Sequence, residues 1–190
     1  DFLQVPLVNC WVMELRRLIL RKFPQLIYQR RAFCFVPTYD IDMAWSYLHK
    51  GLLRNAAGFA KSVLHGQWKQ CAKRFDVLTG KRNDPFDIYE WLDALHLKYS
   101  LKPHYFFLLA VEAKGYDTNI DPRNKAMAGL ISYHSMGYPV GIHPSWQSSD
   151  QDSLLNNEIS ILKNIIGKNV TNSRFHYIKF ALPGGYRKII

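Results

Sequence analysis

Apolar residues recur along the chain with two spacings, one typical of helices and one typical of buried strands. Between Leu7 and Lys22 they return every three to four residues, which predicts an amphipathic helix. Four short apolar runs predict strands instead, at residues 33–38, 105–110, 140–143 and 174–180. Helical spacing returns after each predicted strand, for example over residues 45–63 and 154–166.

The order of these elements predicts an α/β fold. A helix is followed by four strand-then-helix units, and their connections are long enough to place the strands parallel. In parallel α/β folds the chemistry lies at the carboxyl ends of the strands. Here those ends carry Asp40 and Asp42, then His143, then Arg174 and His176. We therefore expect polar groups from three strand ends to form one site.

Asp40 and Asp42 are the centre of this candidate site. They are one residue apart after the first predicted strand, so in extended chain both point to the same side. Two acids after a strand are also typical of a helix cap or a solvated turn. His143 equally fits a strand cap, and Arg174 a surface charge. We interpret the other acids and histidines considered as turn, cap, surface or packing residues: Asp117, Asp121, Asp152, His49, His65, His96, His104 and His134.

Composition narrows the function classes. The 190 residues are 48% hydrophobic and carry a net charge of +10, which favours an anionic partner, but no nucleic-acid-binding signature accompanies the scattered basic residues. We therefore rank nucleic acid last. Three cysteines without metal-ligand spacing suit a reducing compartment, and no transmembrane run or signal peptide is recognisable, which favours the cytoplasm. The first residue is Asp1 rather than Met, which leaves open a removed leader or domain.

Three motifs occur in the order in which they occur in a known family. They are Thr38-Tyr39-Asp40-Ile41-Asp42, Gly141-Ile142-His143-Pro144-Ser145 and Arg174-Phe175-His176-Tyr177. Residues 32–190 resemble the metal-dependent polysaccharide deacetylases of carbohydrate esterase type, whose motifs are Thr-Phe-Asp-Asp-Gly, His-Ser/Thr-x-x-His and Arg-x-Pro-Tyr/Phe-Gly. The likeness is closest to a divergent bacterial branch with Asp-x-Asp, Gly-x-His-x-Ser and Arg-x-His-Tyr.

The resemblance implies a distorted barrel of seven strand–helix units, of which about four are present in residues 32–190, after a helical extension over residues 1–31. It implies metal-dependent hydrolysis of N- or O-acetyl groups on a polysaccharide or glycan, with the family's general acid beyond Ile190. An open barrel also predicts self-association through its edges. The competing interpretation is a degenerate or truncated domain that only binds glycan.

The resemblance also implies roles for individual residues. Asp42 and His143 would bind a divalent metal, most simply zinc, with cobalt, nickel and manganese as alternatives. The family's second motif histidine falls at Gln147, a poor ligand, so we expect His176 to be the third ligand, on the basis of strand-face parity. Asp40 would be the general base, Arg174 would orient Asp40 and favour its ionised form, and the Tyr177 backbone N–H would bind the oxyanion.

Overall fold

The computed structural model describes residues 4–27, 32–111, 115–179 and 181–188. The chain forms two compact units, Asp1–Cys34 and Phe35–Ile190. The first contains helix α1 (Leu7–Lys22). The second contains, in chain order, β1 (Thr38–Ile41), α2 (Leu52–Leu64), α3 (Trp68–Leu78), α4 (Tyr89–Lys98), β2 (His104–Leu108), α5 (Lys125–Gly137), β3 (Val140–His143), α6 (Asp152–Ile166), a 3₁₀ turn (His176–Ile178) and α7 (Gly184–Arg187).

Helix α1 has the bounds that the sequence pattern predicts. It ends where the Phe23 N–H bonds to the carbonyl of Ile19, one residue before Pro24. None of its residues is buried, and its apolar side chains, including Trp11, are exposed. None of the helices in the described part of the chain is long and apolar enough to cross a membrane.

The second unit is built on a parallel sheet of three strands in the order β1-β2-β3, which confirms the predicted α/β class with parallel strands. The central strand β2 covers His104–Leu108, so it begins one residue earlier and ends two residues earlier than the predicted strand at residues 105–110, and it is buried along nearly its whole length. Strand β1 lies at one edge of the sheet. The self-association expected from open edges stays a prediction.

The two faces of the sheet have different neighbours. One face packs against α4, α5 and α6 in a core of buried residues that includes Tyr89, Tyr105, Phe107, Met127, Ile131, Val140, Ile142 and Leu162. The opposite face carries Asp40, Phe106 and Gly141, which are in register across the three strands. Asp42 and His143 follow on this second face, so the fold places the acids and the histidine at the carboxyl end of the sheet.

The first strand begins later than predicted. Residues 33–37 are not in a strand, and Phe33 and Phe35 are 93% and 63% exposed, so the apolar run is not buried. The strand covers Thr38–Ile41 because these residues pair with His104–Phe107 of β2 while Tyr39 and Ile41 pack on the core. Asp40 therefore lies within the strand rather than after it.

The predicted fourth strand over residues 174–180 is wrong. None of the described residues 174–179 is in a strand; an isolated bridge joins Ile142 to Ser173 just before them, and the chain then turns into the 3₁₀ segment His176–Ile178. The segment still passes close beside β3, since the Ile142 N–H bonds to the Asn172 carbonyl at 3.0 Å. Gly141 allows this approach, because a Cβ there would lie 2.6 Å from the Asn172 carbonyl oxygen. The described residues thus form a three-stranded sheet rather than four barrel units.

Buried Asp84 holds the loop that follows Asp42. Its carboxylate accepts backbone N–H bonds from Ser46, Tyr47 and Leu48 at 2.7–3.1 Å, and one from Phe86 at 3.0 Å. Burial opposes ionisation of Asp84, but these four hydrogen bonds outweigh burial and lower its pKa. The chain leaving the candidate site is therefore anchored to the start of α4 by an ionised carboxylate.

Candidate metal site

Three side chains predicted as metal ligands lie together at the carboxyl end of the sheet. The Nε2 atom of His143 is 3.2 Å from Asp42 Oδ1, and the Nε2 atom of His176 is 3.6 Å from Asp42 Oδ2. One ligand atom from each of the three residues lies within 4.8 Å of the other two. Both histidines are buried, whereas the Asp42 side chain is 52% exposed, so the group opens to solvent on the Asp42 side.

The other ring nitrogen of each histidine has a fixed acceptor. His143 Nδ1 bonds to the carbonyl oxygen of Arg174, and His176 Nδ1 lies 2.7 Å from Asp117 Oδ1. A carbonyl and a carboxylate oxygen only accept, so both Nδ1 atoms are the donors. In the neutral rings the lone pair is then on Nε2, the atom that faces Asp42. This is the arrangement that orients histidines as metal ligands.

Asp117 is a functional candidate that the sequence analysis interpreted as a turn residue. It is fully buried, and besides His176 it accepts the backbone N–H of Trp146, with N···O distances of 3.1 and 3.2 Å. Because Trp146 lies three residues after His143, one carboxylate holds the chain near both histidines. No local pattern around Asp117 indicates this role, since its histidine partner is 59 residues away.

Glu158 of α6 binds the backbone of the loop that follows His143. It is fully buried, and its Oε2 accepts the backbone N–H of Ser145 at 3.0 Å. Burial raises the pKa of Glu158 to about 7 although hydrogen bonds from Ser145 and Ser148 oppose the rise. The segment after His143 is thus held by two buried acids, Asp117 and Glu158.

Asp40 and Arg174 form an ion pair next to this group. Arg174 Nη1 is 2.8 Å from Asp40 Oδ1, and the guanidinium lies over the Phe106 ring, 4.5 Å from its centroid. The same residue bonds to His143 through its carbonyl oxygen. Arg174 therefore contacts the predicted base Asp40 through its side chain and the predicted ligand His143 through its backbone.

Tyr177 follows the ligand candidate His176 in a strained conformation. Its φ is 56° and ψ is 15°, in the left-handed region that a non-glycine residue seldom adopts. The chain therefore turns at Tyr177 instead of continuing as the predicted strand. His176 reaches the group through this turn, and the strand parity that suggested it as a ligand does not apply.

Asp42 and His143 stabilise each other's charged forms. The hydrogen bond to His143 lowers the pKa of Asp42 despite partial burial. Burial opposes protonation of His143, but the bond with Asp42, the Arg174 carbonyl and the charge of Asp40 outweigh burial and raise its pKa. A proton shared between Asp42 and His143 therefore competes with a metal ion for this position.

The donor set suits a divalent cation. Two imidazole nitrogens and one carboxylate oxygen are ligands that zinc and neighbouring transition metals accept, and three protein ligands leave a position for water. Among the described residues, this is the group of histidine, cysteine and acidic side chains close enough to hold a metal. The structure supports a metal-binding group without distinguishing the metal.

Comparison of the chain with protein-family models, with curated proteins and with solved structures finds no match. The deacetylase resemblance consequently rests on the three motifs alone.

Proposed function

We propose that this protein is a metal-dependent hydrolase that removes N- or O-acetyl groups from a polysaccharide or glycan. The observation that carries the proposal is the convergence of Asp42, His143 and His176, with both Nε2 atoms oriented inward and the Asp40–Arg174 pair beside them. In this proposal the three strands are part of a larger strand–helix barrel of the deacetylase type. Zinc is the simplest metal for the ligands, with cobalt, nickel and manganese as alternatives.

The residues have distinct tasks in the proposed reaction. Asp42, His143 and His176 would hold the metal, which when bound supplies polarisation of the acetyl carbonyl and a lowered water pKa. Asp40 accepts the proton of the attacking water, and Arg174 keeps the Asp40 carboxylate in position through the 2.8 Å ion pair. The backbone N–H of Tyr177 donates to the developing oxyanion.

A second function, glycan binding without catalysis, has specific support. Gln147, a poor metal ligand, stands where the family has its second motif histidine. A binding domain does not require a divalent ion. Metal uptake and acetate release therefore separate the two functions.

The test pairs two substitutions with opposite expectations. His143→Ala removes a ligand and should abolish metal uptake in calorimetric titrations with zinc, cobalt, nickel and manganese. Asp40→Asn removes the base but no ligand, so zinc uptake should persist while acetate release from acetylated oligosaccharides is lost. His65→Ala, an exposed histidine on the surface of the same unit, is the matched control and should change neither property.

Each outcome has a definite meaning. If no metal is taken up in a way that depends on His143, the metalloenzyme proposal is wrong. If zinc binds but wild-type protein releases no acetate, glycan binding without catalysis is favoured. If His176→Ala keeps wild-type zinc affinity while His143→Ala loses it, the third ligand is another residue and the rest of the proposal stands.

A further inference from the structure

A row of three aromatic rings extends outward from the metal-binding group. The Tyr177 ring lies against His176 with 4.3 Å between ring centroids. Tyr116 contacts Tyr177 edge to face at 5.4 Å, and Trp146 contacts Tyr116 at 4.9 Å. We name Tyr177, Tyr116 and Trp146 the aromatic wall.

Two of the three rings of the wall are exposed, and the third, Trp146, is half-buried. Tyr116 is 57% exposed and Tyr177 is 61% exposed, and neither belongs to the hydrophobic core beneath the sheet. Rings that served only packing would be expected to bury most of their surface. Side-by-side exposed aromatics next to a candidate site instead indicate a binding surface.

The wall is also held in place. The backbone of Trp146 is fixed by buried Asp117, and Lys179 Nζ lies 3.3 Å from the centroid of the Trp146 ring. Tyr177 and Ile178 both have positive φ, 56° and 54°, which is a strained state for two non-glycine residues in sequence. Such strain at a site edge indicates that the direction of the Tyr177 side chain matters, because a relaxed backbone would direct it elsewhere.

The charges beside the wall are paired. Lys179 Nζ is 2.5 Å from Asp150 Oδ2, so the ammonium next to the Trp146 ring is balanced by a carboxylate. Arg174 is likewise paired with Asp40. The two cations beside the wall are therefore neutralised by carboxylates, and the surface suits an uncharged ligand.

We propose that the aromatic wall binds uncharged sugar rings of the chain that carries the acetyl group, through their apolar C–H faces. This inference rests on the proposed function for its substrate, since the wall begins at the ring of His176. A flat ring presents area at little conformational cost, and its contact with an aromatic face excludes water from the adjacent ligand group. The wall therefore gives the protein affinity for an oligosaccharide rather than for a free acetylated monosaccharide.

The test measures oligosaccharide affinity by calorimetry on the zinc-loaded protein. The probes are the tetramer of N-acetylglucosamine, the β-1,4 tetramer of glucose, which has no acetyl group, and tetragalacturonate, which is anionic. Wild-type protein should bind both uncharged tetramers and should bind the anionic one no more tightly. Tyr116→Ala should weaken the two uncharged tetramers by about three- to tenfold, the range for loss of one aromatic contact.

Two variants control the measurement. Tyr116→Phe retains the ring and should keep wild-type affinity for both uncharged tetramers. Tyr99→Ala removes an equally exposed tyrosine at the end of α4 and should leave the affinities unchanged. The proposal is overturned if wild-type protein binds neither uncharged tetramer at millimolar concentration, if Tyr116→Ala binds like wild type, or if tetragalacturonate is preferred.

The zinc titration separates this inference from the proposed function. If zinc uptake depends on His143 but tetramer affinity does not depend on Tyr116, only the aromatic wall is refuted. If zinc uptake fails while the uncharged tetramers bind in a Tyr116-dependent way, the hydrolase proposal is refuted and the wall is retained as the surface of a glycan-binding domain.

Discussion

Replacing Asp117 by Asn tests whether a buried carboxylate sets the geometry of the metal-binding group. Asp117 accepts two N–H donors, His176 Nδ1 at 2.7 Å and the Trp146 backbone N–H at 3.1–3.2 Å. Asn has the same shape but one oxygen and one NH₂ group. With the amide oxygen at the Oδ1 position, His176 keeps only a neutral acceptor and the NH₂ group faces the Trp146 N–H. With the amide turned, the NH₂ group faces His176 Nδ1 instead. The substitution also removes the negative charge that supports the orientation of the His176 ring.

The size of the effect follows from these contacts. Mutation of the carboxylate partner of a metal-ligating histidine reduces metal affinity by about 10- to 100-fold. In free energy this is about 1.4–2.8 kcal/mol, in the range expected for one hydrogen bond to a charged group. We expect Asp117→Asn to weaken zinc binding by this amount without abolishing it, because the three ligands themselves remain.

Zinc affinity should be measured by calorimetric competition against a chelator, with circular dichroism and thermal unfolding to show that the variant is folded. The matched control is Asp121→Asn. Asp121 is a nearby acid whose carboxylate is half exposed and pairs with Arg123 at 2.7 Å, so this variant should keep wild-type zinc affinity.

Two results would contradict the reasoning. Wild-type zinc affinity in folded Asp117→Asn would show that the His176 orientation does not depend on Asp117. An equal loss in Asp121→Asn would show that the affinity responds to general charge rather than to the hydrogen bond.

Three further predictions concern the protonation and packing of the same region. The hydrogen bond with Asp42 raises the pKa of His143 in the metal-free protein, so below that pKa zinc must displace a proton from His143. Zinc affinity should therefore fall by about tenfold for each pH unit below that pKa, and titrations that show no pH dependence would refute this. Burial raises the pKa of Glu158 to about 7, so between its unfolded pKa and pH 7 the carboxyl ionises in the unfolded chain while it stays protonated in the fold, and the wild-type fold loses stability as pH rises. The free energy of unfolding of Glu158→Gln minus that of wild type should therefore increase over this interval by about 3 kcal/mol in chemical denaturation, and a constant difference would contradict the burial argument. Gly141→Ala places a Cβ 2.6 Å from a backbone oxygen and should lower the free energy of unfolding by about 1–3 kcal/mol, whereas Gly129→Ala, with open space around its Cβ, should not destabilise; equal effects would refute the close-packing argument.

The sequence pattern was sufficient to predict those helices and strands whose apolar spacing is visible in their own residues. The run that begins at Tyr105 forms the central strand, the short run Val140–His143 forms the third strand, and the spacing of Leu7–Lys22 forms α1, with its stated bounds. The pattern also indicated parallel strands, because each connection contains a helix. Once strands are parallel, Asp42 and His143 must lie at the same carboxyl end of the sheet, so part of the candidate site followed from topology.

Other features depended on contacts between distant parts of the chain. Residues 33–38 have the apolar pattern of a strand, but pairing with β2 starts at Thr38. The isolated bridge near the predicted fourth strand is at Ser173, and the chain then turns at Tyr177. The role of Asp117 depends on a partner 59 residues away. Local periodicity records which faces are apolar, whereas strand pairing and buried hydrogen bonds depend on how loops bring separated segments together. These long-range contacts form only in the folded chain, and they bring His176, Asp117 and the aromatic wall to the metal-binding group.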